Sequence, residues 1–295
     1  MQPRVSIVIP SFNSGDTLER AIESLVAQNY PNLQLILIDG ESTDHSRLII
    51  ERHRGRFDRV VIEPDSGQAN ALNKGFALAD GEIFGWLCAD DELLPGAIAE
   101  IARVFGGADS PDVATGDCER VYPDHSIARS PADARAWEII SLKNVIEQSA
   151  TFWRSDLHRR VGPIDESYSL CFDWDLWNRF ARAGAKLATT PALLSRYHFS
   201  LDNKTSVAGR RFVEEASRII AQYEPHGERV ANAYGQLYRH FDLKGCYDKP
   251  RIFTLFRAIA LVAFLAQLRV RFGKRVSRAY NWHFASCQER GLRWW

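Results

Sequence analysis

The chain has 295 residues, 45% of them apolar and 25% charged, an ordinary globular composition with enough apolar material for a full core. Its 37 Lys and Arg balance 37 Asp and Glu, so no overall field points to a nucleic-acid partner. Five cysteines, odd in number, far apart and without metal-ligand spacing, point to a reduced compartment and to packing roles, and no run is long and uncharged enough for a transmembrane helix.

The N-terminus runs directly into VSIVIP (5–10), without the charged region and cleavage site of a secretory signal, which sets the expectation of a cytoplasmic protein. VSIVIP is short, β-branched and apolar on both faces, the pattern of a strand covered on two sides. The loop SFNSGD leads into an amphipathic helix, TLERAIESLVAQ, which ends at Tyr30-Pro31-Asn32. LQLILID is a second buried strand closing on Asp39. GESTDHS is a polar turn, SRLIIERHRGRF a second helix and RVVIEP a third strand. After DSG, QANALNKGFALA reads as a helix and EIFGWLCADD as a fourth strand. Strands alternating with helices imply βαβ units and a mostly parallel sheet flanked by helices.

Beyond about residue 112 the rhythm changes. VATGDCERVY is a strand running toward a hairpin or loop, PADARAW a loop, and SLKNVIEQSATFWRSDLHRRVG a strand and a helix. CFDWDLWNRFARAGA is a strong helix and KLATTPALLSRYHF a last strand pair. Residues 208–245 have a helical pattern, and RIFTLFRAIALVAFLAQLRVRFGKRV (251–276) reads as one long helix. From Lys249 onward ten Lys and Arg face a single acid, Glu289, a charge split that suggests a separate job for the tail.

GWLCADDEL (85–93) places two acids directly behind an apolar strand. In isolation this reads as a helix start, with Asp as N-cap and LLPGAIAEIARVF following. Ligands of open parallel sheets, however, bind at the carboxyl ends of the strands. Those ends carry Ser11, Phe12 and Asn13; Asp39 and Glu41; Asp65, Ser66, Gly67 and Gln68; and Asp90 and Asp91. Acids at three of the four suggest a site that uses carboxylates and a hard cation. The first loop, PSFNSGDT, has one glycine where a dinucleotide fold needs G-x-G-x-x-G, which argues against a nicotinamide or flavin dehydrogenase; a P-loop is also absent.

Taken in order, VSIVIPSFN, LILIDGESTDHS and EPDSGQANALNKGFALADGEIFGWLCADDELLPGAI resemble the front half of a family 2 glycosyltransferase of the GT-A fold. QSATFWRSDLHRRVGPIDESYSLCFDWDLWNRFARAGA resembles the acceptor half, and SRYHFSLDNKTS the segment that closes the site. The resemblance covers roughly residues 4–206. It implies an α/β GT-A fold, a Rossmann-like mostly parallel sheet flanked by helices. The catalytic domain would span 1–206, with a nucleotide-sugar half over 1–100 and an acceptor half over 101–206, followed by a helical C-terminal region over 207–295. It further implies an inverting, Mg²⁺- or Mn²⁺-dependent transfer of sugar from a nucleotide diphosphate sugar, UDP- or dTDP-linked, to a hydroxyl of a glycan or lipid-linked acceptor, as in polysaccharide biosynthesis.

A departing diphosphate leaves negative charge, and Mg²⁺ or Mn²⁺, which prefers carboxylates and phosphate oxygens, neutralises it. The family's acid motif, written DXD, serves this end. Here Cys88 replaces its first acid; a soft thiol is a poor Mg²⁺ ligand and reads as packing. Asp90 and Asp91 are left to hold ribose and metal between them. Asp39 resembles the residue that accepts a hydrogen bond from the base's imide N–H, a turn-starting Asp being the alternative. Pro10, Phe12 and Asn13 resemble the loop lining the nucleotide, and Asp65, Gly67, Gln68 and Lys74 the segment around base and ribose; Lys74 also reads as a solvated helix residue. Asp173 falls where the family places its general base, with an N-cap as the alternative, while Asp175 pairs with Arg179 at i,i+4 spacing. Gln148 matches a position near the acceptor, and Trp174 and Trp177 read as core or acceptor wall. Arg196, His198 and Lys204 lie where the family carries basic groups near the diphosphate, His198 reading equally as structural.

Two other readings compete: an inactive homologue acting as a binding or scaffold subunit, and a nucleotidyltransferase, whose Gly-rich loop with Arg and Lys is missing from PSFNSGD. In the tail, AIALVAFLA (258–266) is apolar on every face and flanked by Arg251 and Arg257 on one side and Arg269, Arg271, Lys274, Arg275 and Arg278 on the other. It is too short to cross a bilayer. A helix of this kind fits the interface of an anionic membrane through 250–278, making the protein peripheral on the inner face. Packing on its own domain or on a second subunit is the alternative.

Overall fold

The computed structural model describes residues 2–107, 109–200, 210–241, 259 and 262–277. The chain forms two compact units, one of Met1–Trp137 with Val145–Leu201 and one of Glu138–Asn144 with Asp202–Trp295. The second unit takes a short segment from mid-chain besides the C-terminal part.

The first unit is built on one sheet. Its strands are β1 (Val5–Ser11), β2 (Leu33–Asp39), β3 (Arg59–Ile62), β4 (Ile83–Trp86), β5 (Glu92–Leu93), β6 (Val113–Val121), β7 (Ile127–Ser130), β8 (Thr151–Arg154) and β9 (Leu187–His198). They run in the order β3-β2-β1-β4-β8-β6-β9-β5, with β7 paired to β6. β1 to β4 are mutually parallel; β8 then runs antiparallel to both β4 and β6. The helices are α1 (Gly15–Val26), α2 (Ser46–His53), α3 (Gln68–Leu78), α4 (Ala97–Phe105), α5 (Ala136–Ile139), α6 (Ser155–Val161) and α7 (Phe172–Arg182).

Strand alternation explains why both faces are apolar. Val5, Ile7 and Ile9 of β1 join Leu18, Ile22 and Leu25 of α1 and Ile98, Ile101 and Phe105 of α4 in one buried cluster. Val8 faces the other way onto α3, where a Cβ on Gly75 would come within 2.3 Å of its Cγ1. On that side Trp86 stacks on Trp177 with centroids 5.7 Å apart, and Trp153, Phe76 and Phe180 complete an aromatic core. His158 lies against Phe76 and Phe84 in the same core, and burial lowers its pKa to about 4.

Three elements differ from the sequence pattern. The helix after the acid pair begins at Ala97, not at Leu93, because Pro95 disfavours helical geometry at Leu94. Glu92–Leu93 instead forms β5, antiparallel to β9. KLATTPALLSRYHF is one strand, not a pair: Gly116 opposes Thr190 and Asp117 opposes Leu193, so a bulge absorbs Pro191, which has no N–H to give the ladder. The helical stretch over 208–245 is two helices within its described part, α8 (Arg210–Tyr223) and α9 (Gly227–Phe241), parted around Pro225.

The second unit contains α8, α9 and a helical segment, α10, over 262–277, which turns back at Gly273 (φ 85°) so that Ser277 Oγ donates to Leu265 O at 3.0 Å. Within it, the Arg275 guanidinium pairs with the Glu224 carboxylate and donates to Glu138 O at 3.1 Å, while Ser141 Oγ donates to Glu224 Oε2 at 2.6 Å. Among the described residues no helix is long and apolar enough to cross a membrane.

Candidate active site

The loops after β1, β2 and β3 meet at Gly40. A Cβ there would lie 2.6 Å from Asp65 Oδ2 and 3.3 Å from the Phe12 ring, so only glycine lets the three strand ends close together. Pro10 is buried in β1, whereas Phe12 is 61% exposed at the loop tip. Asn13 sits at φ 48°, a left-handed conformation that Asn tolerates; its N–H donates to Ser42 Oγ and its Oδ1 accepts from Thr43 N–H. Asp39 is fully buried and turns the chain: Ser42 N–H donates to Oδ1 at 2.8 Å, and Ser42 Oγ and Ser11 Oγ donate to Oδ2 at 2.6 and 3.1 Å. Asp65 Oδ1 accepts from Gly67 N–H at 2.8 Å, and Gly67 adopts φ 127° at the start of α3.

The side chain of Gln68, first residue of α3, donates to Cys88 Sγ at 3.2 Å; Cys88 Sγ–H donates to Gln148 Oε1 at 3.3 Å, and Gln148 Nε2 donates to Trp86 O at 2.7 Å. A thiol thus links the start of α3 to Gln148. Burial, with Asp91 and Asp90 beside it, pushes this thiol well above its ordinary range, so Cys88 acts here as a neutral hydrogen-bonding group.

Cys88, Asp90 and Asp91 offer ligand atoms all within 4.8 Å of one another. Asp91 is 2% exposed, and burial followed by the adjacent Asp90 charge pushes its carboxyl well above the carboxylate range; the His198 N–H, 3.3 Å from Oδ1, offsets this only in part. Burial also raises Asp90, whose shift Arg20 and His198 reduce. Around the pair lies a charged cluster that no local motif announces. Glu92 Oε1 is 3.4 Å from Arg20 Nε, 4.0 Å from Arg196 Nη1 and 2.5 Å from His198 Nε2. Strand pairing builds it: Glu92 opposes Arg196, and His198, two residues on, shares that face. Arg196 also donates through Nε and Nη2 to Glu119 Oε2, and Arg20 Nη2 donates to Asp90 O at 2.8 Å.

Asp173 stands in the first turn of α7, partly exposed, and its charge is among those that raise the Cys88 thiol. Asp175 is buried and pairs with Arg179 Nε at 2.8 Å. Trp174 is 3% exposed, and Trp177 lies in the aromatic core. Lys74 pairs with Glu63, its Nζ 2.7 Å from Oε1, and donates to Pro64 O. Lys204 lies outside the described residues.

Residues 6–141 match the family described as glycosyl transferase family 2. The chain is 27% identical over 217 residues to an uncharacterized glycosyltransferase of Rickettsia typhi, covering 70% of this chain and 67% of that protein. It is 29% identical over 199 residues to a PGL/p-HBAD biosynthesis glycosyltransferase of Mycobacterium bovis, covering 66% and 73%. Its fold is similar to that of S. aureus TarS 1–349 in complex with UDP-GlcNAc, with TM-score 0.62, 16% identity and coverage of 98% and 92%. It is also similar to the mannosyltransferase PcManGT of Pyrobaculum calidifontis in complex with GDP-Man and Mn²⁺, with TM-score 0.58, 16% identity and coverage of 99% and 83%. The fold is that of a GT-A glycosyltransferase. Over residues 6–141, a little under half of its length, the chain is similar to glycosyl transferase family 2.

Proposed function

We propose that this protein is an inverting glycosyltransferase that uses a nucleotide diphosphate sugar and a divalent cation. The carrying observation is the juxtaposition of Asp90 and Asp91, one of them almost fully buried, at the end of a parallel strand. Two adjacent acids at a dry strand end repel each other, and a hard cation fits such a pair; Asp91 and Asp90 would hold it and Cys88 would not. When bound, Mg²⁺ or Mn²⁺ supplies charge neutralisation for the diphosphate leaving group. Structural neighbours in complex with UDP-GlcNAc, and with GDP-Man and Mn²⁺, support this reading.

The chain's own groups would divide the remaining work. Asp39 and the Phe12–Asn13 loop receive the base, UDP or dTDP being favoured by an acceptor at Asp39. Asp65, Gly67, Gln68 and Asp90 line the ribose and sugar, with Lys74 at the edge of that segment. Arg196 and His198, and Lys204 by its place in the sequence, would serve the diphosphate. Gln148 and Trp174 border the acceptor. A carboxylate oxygen of Asp173 takes the proton of the acceptor hydroxyl as the hydroxyl oxygen attacks the anomeric carbon from the face opposite the departing nucleoside diphosphate. The acceptor is a glycan or lipid-linked hydroxyl, and the tail would hold the protein on an anionic membrane surface at the cytoplasmic face.

The test is a panel of nucleotide sugars scored by thermal stabilisation, then by release of nucleoside diphosphate with Mn²⁺ and with chelator. Stabilisation by one donor and chelator-sensitive turnover with an inverted product are expected. Full turnover in chelator would remove the cation from the reading, and a retained anomeric configuration would remove the single displacement.

A further inference from the structure

We propose that Glu166 is a positioning residue that locks the general-base helix to the donor-binding loop; the proposal rests on the transferase reading of this site. Glu166 lies in the loop between α6 and α7 and reaches across to α3. Its carboxylate accepts from Asn73 Nδ2 at 2.8 Å, Asn70 Nδ2 at 3.0 Å and Ser66 Oγ at 3.4 Å. Asn70 and Asn73, three apart, share one face of α3, and Ser66 belongs to the loop that carries Asp65 and Gly67. The amide of Asn73 also grips the backbone of the same loop: Nδ2 donates to Ile164 O, and Ile164 N–H donates to Oδ1, both at 2.9 Å.

The segment between this clamp and Asp173 has little slack. Ile164, Tyr168 and Cys171 are buried. Asp165 closes a turn between them, its Oδ1 accepting from Ser167 N–H at 2.9 Å and its carbonyl from Tyr168 N–H at 3.2 Å. Cys171 O then accepts from Asp175 N–H at 3.0 Å, opening α7 with Asp173 in its first turn. The place of Glu166 on α3 therefore sets the place of Asp173 relative to Asp65, Gly67 and Gln68. Glu166 itself is exposed. Hydrogen bonds at an exposed carboxylate add little to folding, so geometry is what the clamp supplies, and rate and stability can be separated.

Glu166→Ala in the full chain is assayed with the nucleotide sugar that the wild type turns over, UDP-GlcNAc and GDP-mannose first. We expect kcat to fall by about ten- to a hundredfold, the scale for a reacting group displaced by a fraction of an ångström to an ångström. Donor KM and calorimetric affinity for UDP or GDP should stay within about twofold of wild type. Glu166→Gln, whose amide oxygen still accepts from Asn73, should recover part of the rate. Asn70→Ala removes one bond of the clamp and serves if the first variant does not fold; it should lower kcat in the same sense. Unchanged kcat with only a lower Tm makes the clamp a surface staple and overturns the proposal, as does a loss of nucleotide affinity equal to the loss of rate. A wild type that binds and turns over no nucleotide sugar removes the transferase reading and the proposal with it, an outcome distinct from the other two.

Discussion

His198 touches two consecutive acids at once: its backbone N–H points at Asp91 Oδ1 across 3.3 Å, and its ring Nε2 lies 2.5 Å from Glu92 Oε1. The end of β9 is therefore where the buried acid and the charged cluster are joined. One backbone N–H is a small offset against the burial of Asp91 beside Asp90, which is why that carboxyl is pushed up.

The raised Asp91 sets a pH dependence. A carboxyl whose folded pKa lies above its unfolded value of 3.8 stabilises the fold fully below that value and loses this contribution as pH rises through the folded pKa. Chelated protein should lose Tm as pH climbs above 3.8, and Mn²⁺ should flatten the slope by stabilising the charged form. Asp91→Asn should abolish both the slope and the Mn²⁺ effect. A Tm profile over about pH 4 to 8 with chelator or Mn²⁺ checks this; equal slopes in the two conditions would refute the cation at Asp91.

For Asp173, substitution by Asn removes the proton acceptor while keeping the shape of the α7 start. Turnover should drop by about two to four orders of magnitude with the nucleotide affinity preserved. Single-turnover kinetics beside calorimetry separates the two quantities. A near-normal rate would move the role away from Asp173.

Glu92 is the shared partner of Arg20, Arg196 and His198. Glu92→Gln leaves cationic groups gathered around a neutral amide, with Arg196 still held by Glu119. A loss of about 1.5–3 kcal/mol is expected, the range for hydrogen bonds to a charged group. Urea denaturation at low and high salt measures it. The loss should shrink as salt screens the remaining cations.

The legible part of this molecule was the part whose signals are local. β1 to β4 and α1 to α3 follow from apolar runs, turn residues and helical periodicity, and the acids at the strand ends follow from those elements. What sequence could not place depends on partners far along the chain. β5 is two residues long and exists only because β9 lies beside it. The Glu92 cluster joins positions 20, 92, 119, 196 and 198, and the Glu166 clamp joins 66, 70, 73, 164 and 166; neither has a spacing to read. Pro95 and Pro191 were visible in the sequence, but whether a proline ends an element or is absorbed in a bulge is decided by the neighbouring strand.

The final prediction concerns α10. Leu268 and Val276 are its buried positions, while Val262 is 66% and Val270 88% exposed, with Ile259 just before them at 59%. Arg269, Arg271 and Lys274 are exposed on the same helix. Val262, Ala266 and Val270 follow at four-residue intervals and so share one face. Apolar side chains on one face with basic neighbours suit a helix resting in the interface of an anionic bilayer, where arginine and lysine reach the headgroups. The full chain should sediment with vesicles of anionic phospholipid at low ionic strength, be released by high salt, and ignore neutral vesicles. Truncating the tail is a poor test because Arg275 is tied to Glu224 and Glu138 within the second unit. The sharper variant is the pair Val262→Asp and Val270→Asp, which alters exposed positions alone. It should leave Tm and nucleotide binding as they are and weaken vesicle binding by at least about tenfold, since two apolar groups that would enter the bilayer interface are exchanged for two charges that anionic headgroups repel. Undiminished sedimentation of that variant would show that this face of the helix is not the one that meets lipid.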